Sequence, residues 1–308
     1  MDYSIQLGKT DSGTPVTLSL ARLISGRGFL TGSSGAGKSY ALRLIAERII
    51  PYCQVIILDP DGEFPTLRER FDVVWLGDAT ADILAEVKTA SRDAQILYRS
   101  NLSAVCDLSA LKEASRAEWI ARFCDTLMAQ PRETWHRCLL ILDEAHRFAG
   151  TETKTLPSYT AVSDVMSGGR KHKLGLLMAT TRIAKLAANA RADAATRFVG
   201  YTIEDLDIER GAELVGLPRS ERGRIRGLEN EFFGIGKALS PRGTVQFKFD
   251  APTTSHPDDA DESAPIFRLP PASPDLTRQI RKLWNLPESI DEWVNSVVIA
   301  SKNKILLS

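Results

Sequence analysis

Several things are scarce in this sequence, and each shortage narrows what the chain can be. Lys plus Arg and Asp plus Glu balance at 39 each, so the formal net charge is zero. A chain-wide electrostatic footprint for a polyanion is therefore missing, and any nucleic-acid surface must be local. Cysteines number four, Cys53, Cys106, Cys124 and Cys138, widely spaced, with no C-x-x-C pair and no Cys/His spacing suited to zinc. They read as reduced core thiols of a cytosolic protein, not as a disulfide framework. Nowhere do eighteen apolar residues run consecutively, and Met1 to Gln6 lacks a basic region followed by an apolar stretch. No membrane anchor is predicted, and a cytoplasmic location is expected. What is present, 308 residues with 43% apolar and 25% charged side chains, suffices for one large globular domain or two modest ones.

The strongest signal is Gly32-Ser33-Ser34-Gly35-Ala36-Gly37-Lys38-Ser39, which fits the phosphate-loop pattern G-x-x-x-x-G-K-[ST]. The apolar run Gly28-Phe29-Leu30 predicts a strand before it, and Tyr40 to Arg48 a helix after it. Glycines let successive N–H groups curl toward an anion, and the helix N-terminus adds its dipole at the same place. Lys38 is expected to reach the β and γ phosphates and Ser39 to ligate Mg²⁺, so Gly32 to Ser39 with the adjoining Tyr40 form the predicted ATP site.

A second motif lies about a hundred residues on. Cys138-Leu139-Leu140-Ile141-Leu142-Asp143-Glu144 reads as a buried strand delivering two acids at its carboxyl end. Beside a phosphate loop, the first acid serves the Mg²⁺ shell with Ser39 and the second polarises the attacking water, because metal and nucleophile sit on opposite sides of the transferred phosphoryl group. Asp143-Glu144-Ala145-His146 is also the tetrapeptide of helicases with two RecA-like lobes, but the residues after 200 hold too few strand–helix units for a second lobe; His146 is expected to orient the loop beside Glu144.

Around these motifs, residues 3 to 20 alternate apolar and polar about Asp11-Ser12-Gly13-Thr14-Pro15, which predicts a hairpin. Gln54 to Asp59 reads as a buried strand, and Pro60-Asp61-Gly62-Glu63-Phe64 as a turn, serving either the chain reversal alone or a site. Val73 to Leu76, Ile96 to Tyr98 and Ala104 to Leu108 read as strands, with a helix over 81 to 90 between the first two. Glu113 to Gln130 predicts a long amphipathic helix, and Trp119 and Trp135 read as core or edge aromatics. Pro157 to Lys173 is helical, ending in Arg170-Lys171-His172-Lys173. Leu174 to Arg182 is another buried strand; if it neighbours the Asp143 strand, Thr181 becomes a candidate sensor of the γ phosphate. Arg219 to Arg226 is a basic loop and Ala187 to Arg197 an Ala/Arg-rich stretch, each either a pore lining or a solvated face. Glu231 to Gly236 and Thr244 to Phe249 predict a closing hairpin. Residues 251–268 have the composition of an acidic flexible linker, and Leu276 to Trp284 and Ile290 to Ala300 of two amphipathic helices within a C-terminal segment, 269–308, that packs on the core, a neighbour or a partner.

Four stretches in order, Gly32 to Ser39, Leu58 to Phe64, Ile141 to Phe148 and Gly169 to Leu176, together resemble the HerA branch of the HerA/FtsK ATPases over roughly residues 3 to 250. The resemblance implies an α/β fold, a RecA-like P-loop NTPase core with a mainly parallel sheet flanked by helices over 1–250, with a small N-terminal β-hairpin over 1–25 where the family has a β-barrel. It further implies a homo-oligomeric ring, expected to be a hexamer, that hydrolyses ATP at subunit interfaces and translocates double-stranded DNA. Glu144 becomes the catalytic carboxylate, Arg170 the finger inserted into the neighbour's site, and Arg27 a residue at an interface. Thr181 stands where the family usually has Gln. Two other readings stay open: a genome-packaging ATPase of a virus or mobile element, and an ATP-gated regulatory subunit of a nuclease or other effector.

Overall fold

The computed structural model describes residues 3–188, 191, 193–257 and 269–286. Its spine is a thirteen-stranded sheet in the order β12-β2-β1-β13-β11-β10-β3-β9-β8-β4-β7-β5-β6. The strands are β1 (Ser4–Lys9), β2 (Pro15–Ser19), β3 (Gly28–Thr31), β4 (Gln54–Asp59), β5 (Val74–Gly77), β6 (Ile83–Leu84), β7 (Ala104–Asp107), β8 (Cys138–Leu142), β9 (Leu174–Thr180), β10 (Thr196–Gly200), β11 (Glu231–Gly236), β12 (Leu239–Ser240) and β13 (Val245–Phe249). From β10 to β6 every pairing is parallel, whereas β12 to β10 is antiparallel throughout. The fold is thus α/β with a mainly parallel sheet, and the predicted hairpin of β1 and β2 extends that sheet through β13.

Both faces of the parallel half are covered, which is why its strands are near-continuous apolar runs. Side chains alternate across it: Ile56, Leu58, Leu140 and Leu142 point to one core, Val55, Ile57, Leu139 and Ile141 to the other. The first core receives α3 (Ala90–Ser100), α4 (Glu113–Met128), α6 (Pro157–Gly168) and α8 (Pro274–Trp284); the second receives α2 (Lys38–Ile49) and α1 (Leu20–Gly26). Trp119 is fully buried against Phe123, with ring centroids 4.7 Å apart. The short helices α5 (His146–Ala149) and α7 (Asp205–Val215) complete the set, α7 closing a smaller core with Val199 and Phe233.

Three local expectations are corrected. Residues 81–90 are not a helix, since β6 lies there, and Ile96-Leu97-Tyr98 is not a strand but part of α3. Ala90, Ala94, Leu97 and Tyr98 recur at helical spacing and are all buried, and a three-residue apolar window fits either period. Residues 251–257, expected as the start of a free linker, fold back on α2: both carboxylate oxygens of Glu47 accept from Thr253 and Thr254 through backbone N–H (2.7 and 2.8 Å) and hydroxyl (3.0 and 2.6 Å). Linker residues 258–268 and the helix expected over Ile290 to Ala300 lie outside the described residues. The helix expected over Leu276 to Trp284 packs on the core, where the Trp284 indole donates to buried Asp93 at 2.8 Å.

Candidate active site

Because β3, β4, β8 and β9 are parallel, their carboxyl ends open on one crevice, with β9 interposed between the phosphate-loop strand and the strand of the paired acids. A cavity of about 540 Å³ fills it, lined by Ser34, Gly35, Gly37, Lys38, Ser39, Tyr40, Asp143, Glu144 and Thr181 among others. Gly35 and Gly37 adopt left-handed φ angles of 76° and 81°, a conformation glycine takes without strain. Gly37 caps α2 with no side-chain acceptor, so the first N–H groups of the helix stay available for an anion. Gly32, Ser33 and Ala36 shape the loop from below. A Cβ on Gly32 would stand 2.8 Å from that of Ala36, while the Ser33 N–H donates to the Tyr201 carbonyl (2.7 Å) and its hydroxyl accepts from the Ile203 N–H (3.1 Å).

Asp143 is 6% exposed, and its Oδ1 accepts the Glu144 N–H at 2.8 Å. Burial, then the neighbouring Glu144, pushes its carboxyl up to about 8. Glu144 has φ of 43°, a conformation a non-glycine residue rarely keeps without a local reason. That backbone turn aims its carboxylate across β9: Oε2 accepts from the Thr181 N–H (3.2 Å) and hydroxyl (3.0 Å) and lies 3.1 Å from His146 Nδ1, and Oε1 lies 4.0 Å from Lys38 Nζ. Burial alone would raise Glu144, but the His146 contact and Lys38 outweigh it and hold its pKa below the usual range. His146 also meets the Thr180 hydroxyl at 2.9 Å, so its loop-orienting place beside Glu144 is visible in the contacts.

At the end of β4 the turn serves chain reversal and cavity at once. Asp59 is buried, accepting from the N–H groups of Gly62 (2.8 Å), Phe64 (2.9 Å) and Asp61 (3.3 Å); burial pushes its carboxyl up to about 7 against those donors. Asp61 and Glu63, the acids this turn presents, line the cavity.

Arg170 stands apart from this group. It sits in the 3-10 turn between α6 and β9, at the amino end of the strand whose carboxyl end carries Thr181. Seven residues of extended chain put about 20 Å between those ends. Arg170 is exposed and shares a second cavity, of about 630 Å³, with Arg22, Lys237 and Arg242; among the described residues no carboxylate lines it. Arg22 and Arg242 both donate to the Lys237 carbonyl, at 3.0 and 2.6 Å. Arg27 is turned inward instead, its side chain 13% exposed and 3.9 Å from Asp193. In the basic loop, Arg222, Arg224 and Arg226 each pair with an acid, Glu209, Glu221 and Asp205.

The donor set fits a hard divalent cation. A hydroxyl (Ser39) and one buried carboxylate (Asp143) face a shared cavity, and among the described residues no cluster of three or more His, Cys, Asp or Glu could hold a metal alone. That is the pattern of Mg²⁺, which keeps waters and takes its remaining ligands from phosphate oxygens.

Comparison with known proteins agrees with this architecture. A family model described as the central domain of helicase HerA matches residues 5–163. Among solved structures, VirB4 of Thermoanaerobacter pseudethanolicus superposes with a TM-score of 0.61 at 14% identity, covering 80% of this chain and 96% of that one. The bacterial conjugative coupling protein TrwB gives 0.57 at 12%, covering 81% and 89%. The genome-packaging NTPase B204 of Sulfolobus turreted icosahedral virus 2, bound to ATP-gammaS, gives 0.50 at 16%, covering 73% and 98%. No curated protein matches the sequence. Among the described residues, no helix is long and apolar enough to cross a membrane.

Proposed function

Because the chain belongs to the family of the HerA central domain and is a P-loop ATPase of the HerA/FtsK type, we propose that it is a motor that moves double-stranded DNA, assembled as a homo-oligomeric ring with ATP hydrolysed between subunits. The observation that carries this reading is the placement of the charges. Lys38, Ser39, Asp143, Glu144 and Thr181 share one cavity, whereas Arg170 faces a basic groove at the far end of β9. An arginine so placed serves the γ phosphate of another copy, not that of its own chain.

Within the cavity, Ser39 and Asp143 would hold Mg²⁺, which would polarise the phosphoryl oxygens of a bound ATP. Lys38 neutralises phosphate charge from below. Glu144 orients a water and takes its proton; its pKa, held low by His146 and Lys38 against the pull of burial, keeps it an acceptor at neutral pH. Thr181 ties the same carboxylate to β9, so a shift of Glu144 during turnover is felt by the strand that begins beside Arg170. Through that strand one site can report to the next.

The test is ATP turnover by the purified protein with and without linear double-stranded DNA, with oligomer mass read on the same sample. DNA-stimulated turnover in a ring-sized assembly is expected. Turnover indifferent to DNA would move the reading to a nucleotide-gated subunit of a nuclease or other effector. A packaging motor is the second reading, favoured by the match to nearly the whole B204 chain, a genome-packaging NTPase.

A further inference from the structure

We infer that the end of β13 and the segment that follows it, residues 249–256, form the nucleobase and ribose wall of the ATP site, with Tyr40 as the stacking platform. The inference rests on the ATPase reading of the cavity and not on DNA translocation.

Composition alone gives this segment, Phe249-Asp250-Ala251-Pro252-Thr253-Thr254-Ser255-His256, no reason to be ordered. It is nevertheless fastened to the helix that begins with the phosphate-binding lysine. Glu47, 4% exposed, takes the four hydrogen bonds from Thr253 and Thr254 already described. Arg43, one turn earlier on α2 and fully buried, donates to the Thr254 hydroxyl (3.0 Å), to the Thr66 hydroxyl (2.6 Å) and to the Glu63 carbonyl. Ser255 donates through both N–H and hydroxyl to Glu69, at 2.8 and 3.1 Å. Desolvating a guanidinium and a carboxylate is expensive unless they are paired, and here both Glu47 oxygens and both terminal Arg43 nitrogens are hydrogen-bonded, which fixes the segment against α2.

What this fastening achieves is a wall. Asp250, Pro252, Thr254 and His256 line the same cavity as Lys38 and Ser39. His256, 5% exposed, lies parallel to the Tyr40 ring, with centroids 4.9 Å apart and planes 11° from parallel, and Tyr40 itself is 38% exposed. Tyr40 directly follows Ser39, one step along α2 from the residues expected at the triphosphate. A tyrosine backed on one face by a buried imidazole holds its ring plane fixed, which is what stacking a flat base requires. Phe232 and Phe249, in edge-to-face contact at 5.0 Å, add apolar surface to the cavity. The matching ligand is a purine nucleoside triphosphate, its larger ring system gaining most from an aromatic platform.

Steady-state kinetics separate this from a merely structural role. Tyr40→Ala is expected to raise KM for ATP about tenfold with kcat changed less than threefold, and Tyr40→Phe, which keeps the ring, to recover most of the loss. The double variant Thr253→Ala/Thr254→Ala, which loosens the wall without touching the platform, should raise KM in the same sense. Inorganic tripolyphosphate carries no base and should inhibit the wild type and Tyr40→Ala with equal inhibition constants. An unchanged KM in Tyr40→Ala, or tripolyphosphate inhibition weakened alongside ATP, would overturn the inference. Either result leaves the DNA response of the wild type, and so the motor reading, to be judged separately.

Discussion

The two ends of β9 make the most instructive contrast in the molecule. At the carboxyl end Glu144, Asp143, Lys38 and Thr181 are largely buried, and each charge faces an opposite charge or a hydrogen-bond donor within 4.0 Å. At the amino end Arg170, Arg22, Lys237 and Arg242 are exposed around one groove with no carboxylate among the described lining residues. The first end is finished within one chain. The second gathers like charges, a local field that favours an anion from outside the chain. In the proposed ring, that asymmetry divides the site between two copies: the pre-organised half binds and activates, and the unpaired half serves the neighbour's phosphates.

Breaking the unpaired half should do the most damage. Arg170→Ala is expected to lower kcat for ATP about 10³-fold, the lower end for an arginine supplied in trans. Mixing it with Lys38→Ala, itself inactive, should restore measurable turnover, because the Lys38→Ala copy still offers Arg170 to a neighbour with an intact cavity. Mixtures as dead as their components would place Arg170 outside the reaction. Next comes the pre-organised half. Glu144→Gln keeps the shape but cannot take the proton, and kcat should fall at least 10²-fold while ATP still binds, as read by single-turnover and equilibrium binding measurements. Undiminished turnover would remove Glu144 from its proposed role. Thr181→Ala deletes one of two bonds that Thr181 makes to Glu144 Oε2 and leaves the backbone N–H in place. About a tenfold drop in kcat is expected, the equivalent of roughly 1.4 kcal/mol.

The parallel half was legible in the sequence because doubly covered strands are near-continuous apolar runs, and β3, β4, β8 and β9 all fall where such runs stand. The phosphate loop was legible because its glycines and Lys-Ser occupy fixed offsets between a strand and a helix. The wall over the cavity was not. Its order comes from Glu47 and Arg43, more than two hundred residues away in sequence, and nothing periodic in Ala251 to His256 announces that partnership. Thr180, which meets His146, was hidden for a related reason: it became visible only once β9 was known to lie beside β8. Residues 81–100 misled because short apolar windows carry no period, and only the buried set Ala90, Ala94, Leu97 and Tyr98 reveals the helix.

A pair of stability measurements sharpens the contrast, and its second member carries the smallest expected effect of all. Asp59→Ala, at the finished end, strips the acceptor from three backbone N–H groups in a buried turn and should lower unfolding stability by about 3 kcal/mol. Arg242→Ala, in the groove, removes an exposed cation from among like charges, losing a bond to the Lys237 carbonyl but relieving repulsion, so its stability should stay within about 0.5 kcal/mol of the parent in denaturant titration. The two changes are expected to differ in stability because Asp59 is built into the fold, whereas Arg242 is exposed and, in the proposed reading, serves an anion outside the chain. If Arg242→Ala unfolded as easily as Asp59→Ala, the groove would be part of the scaffold, and the division of labour between the two ends of β9 would no longer hold.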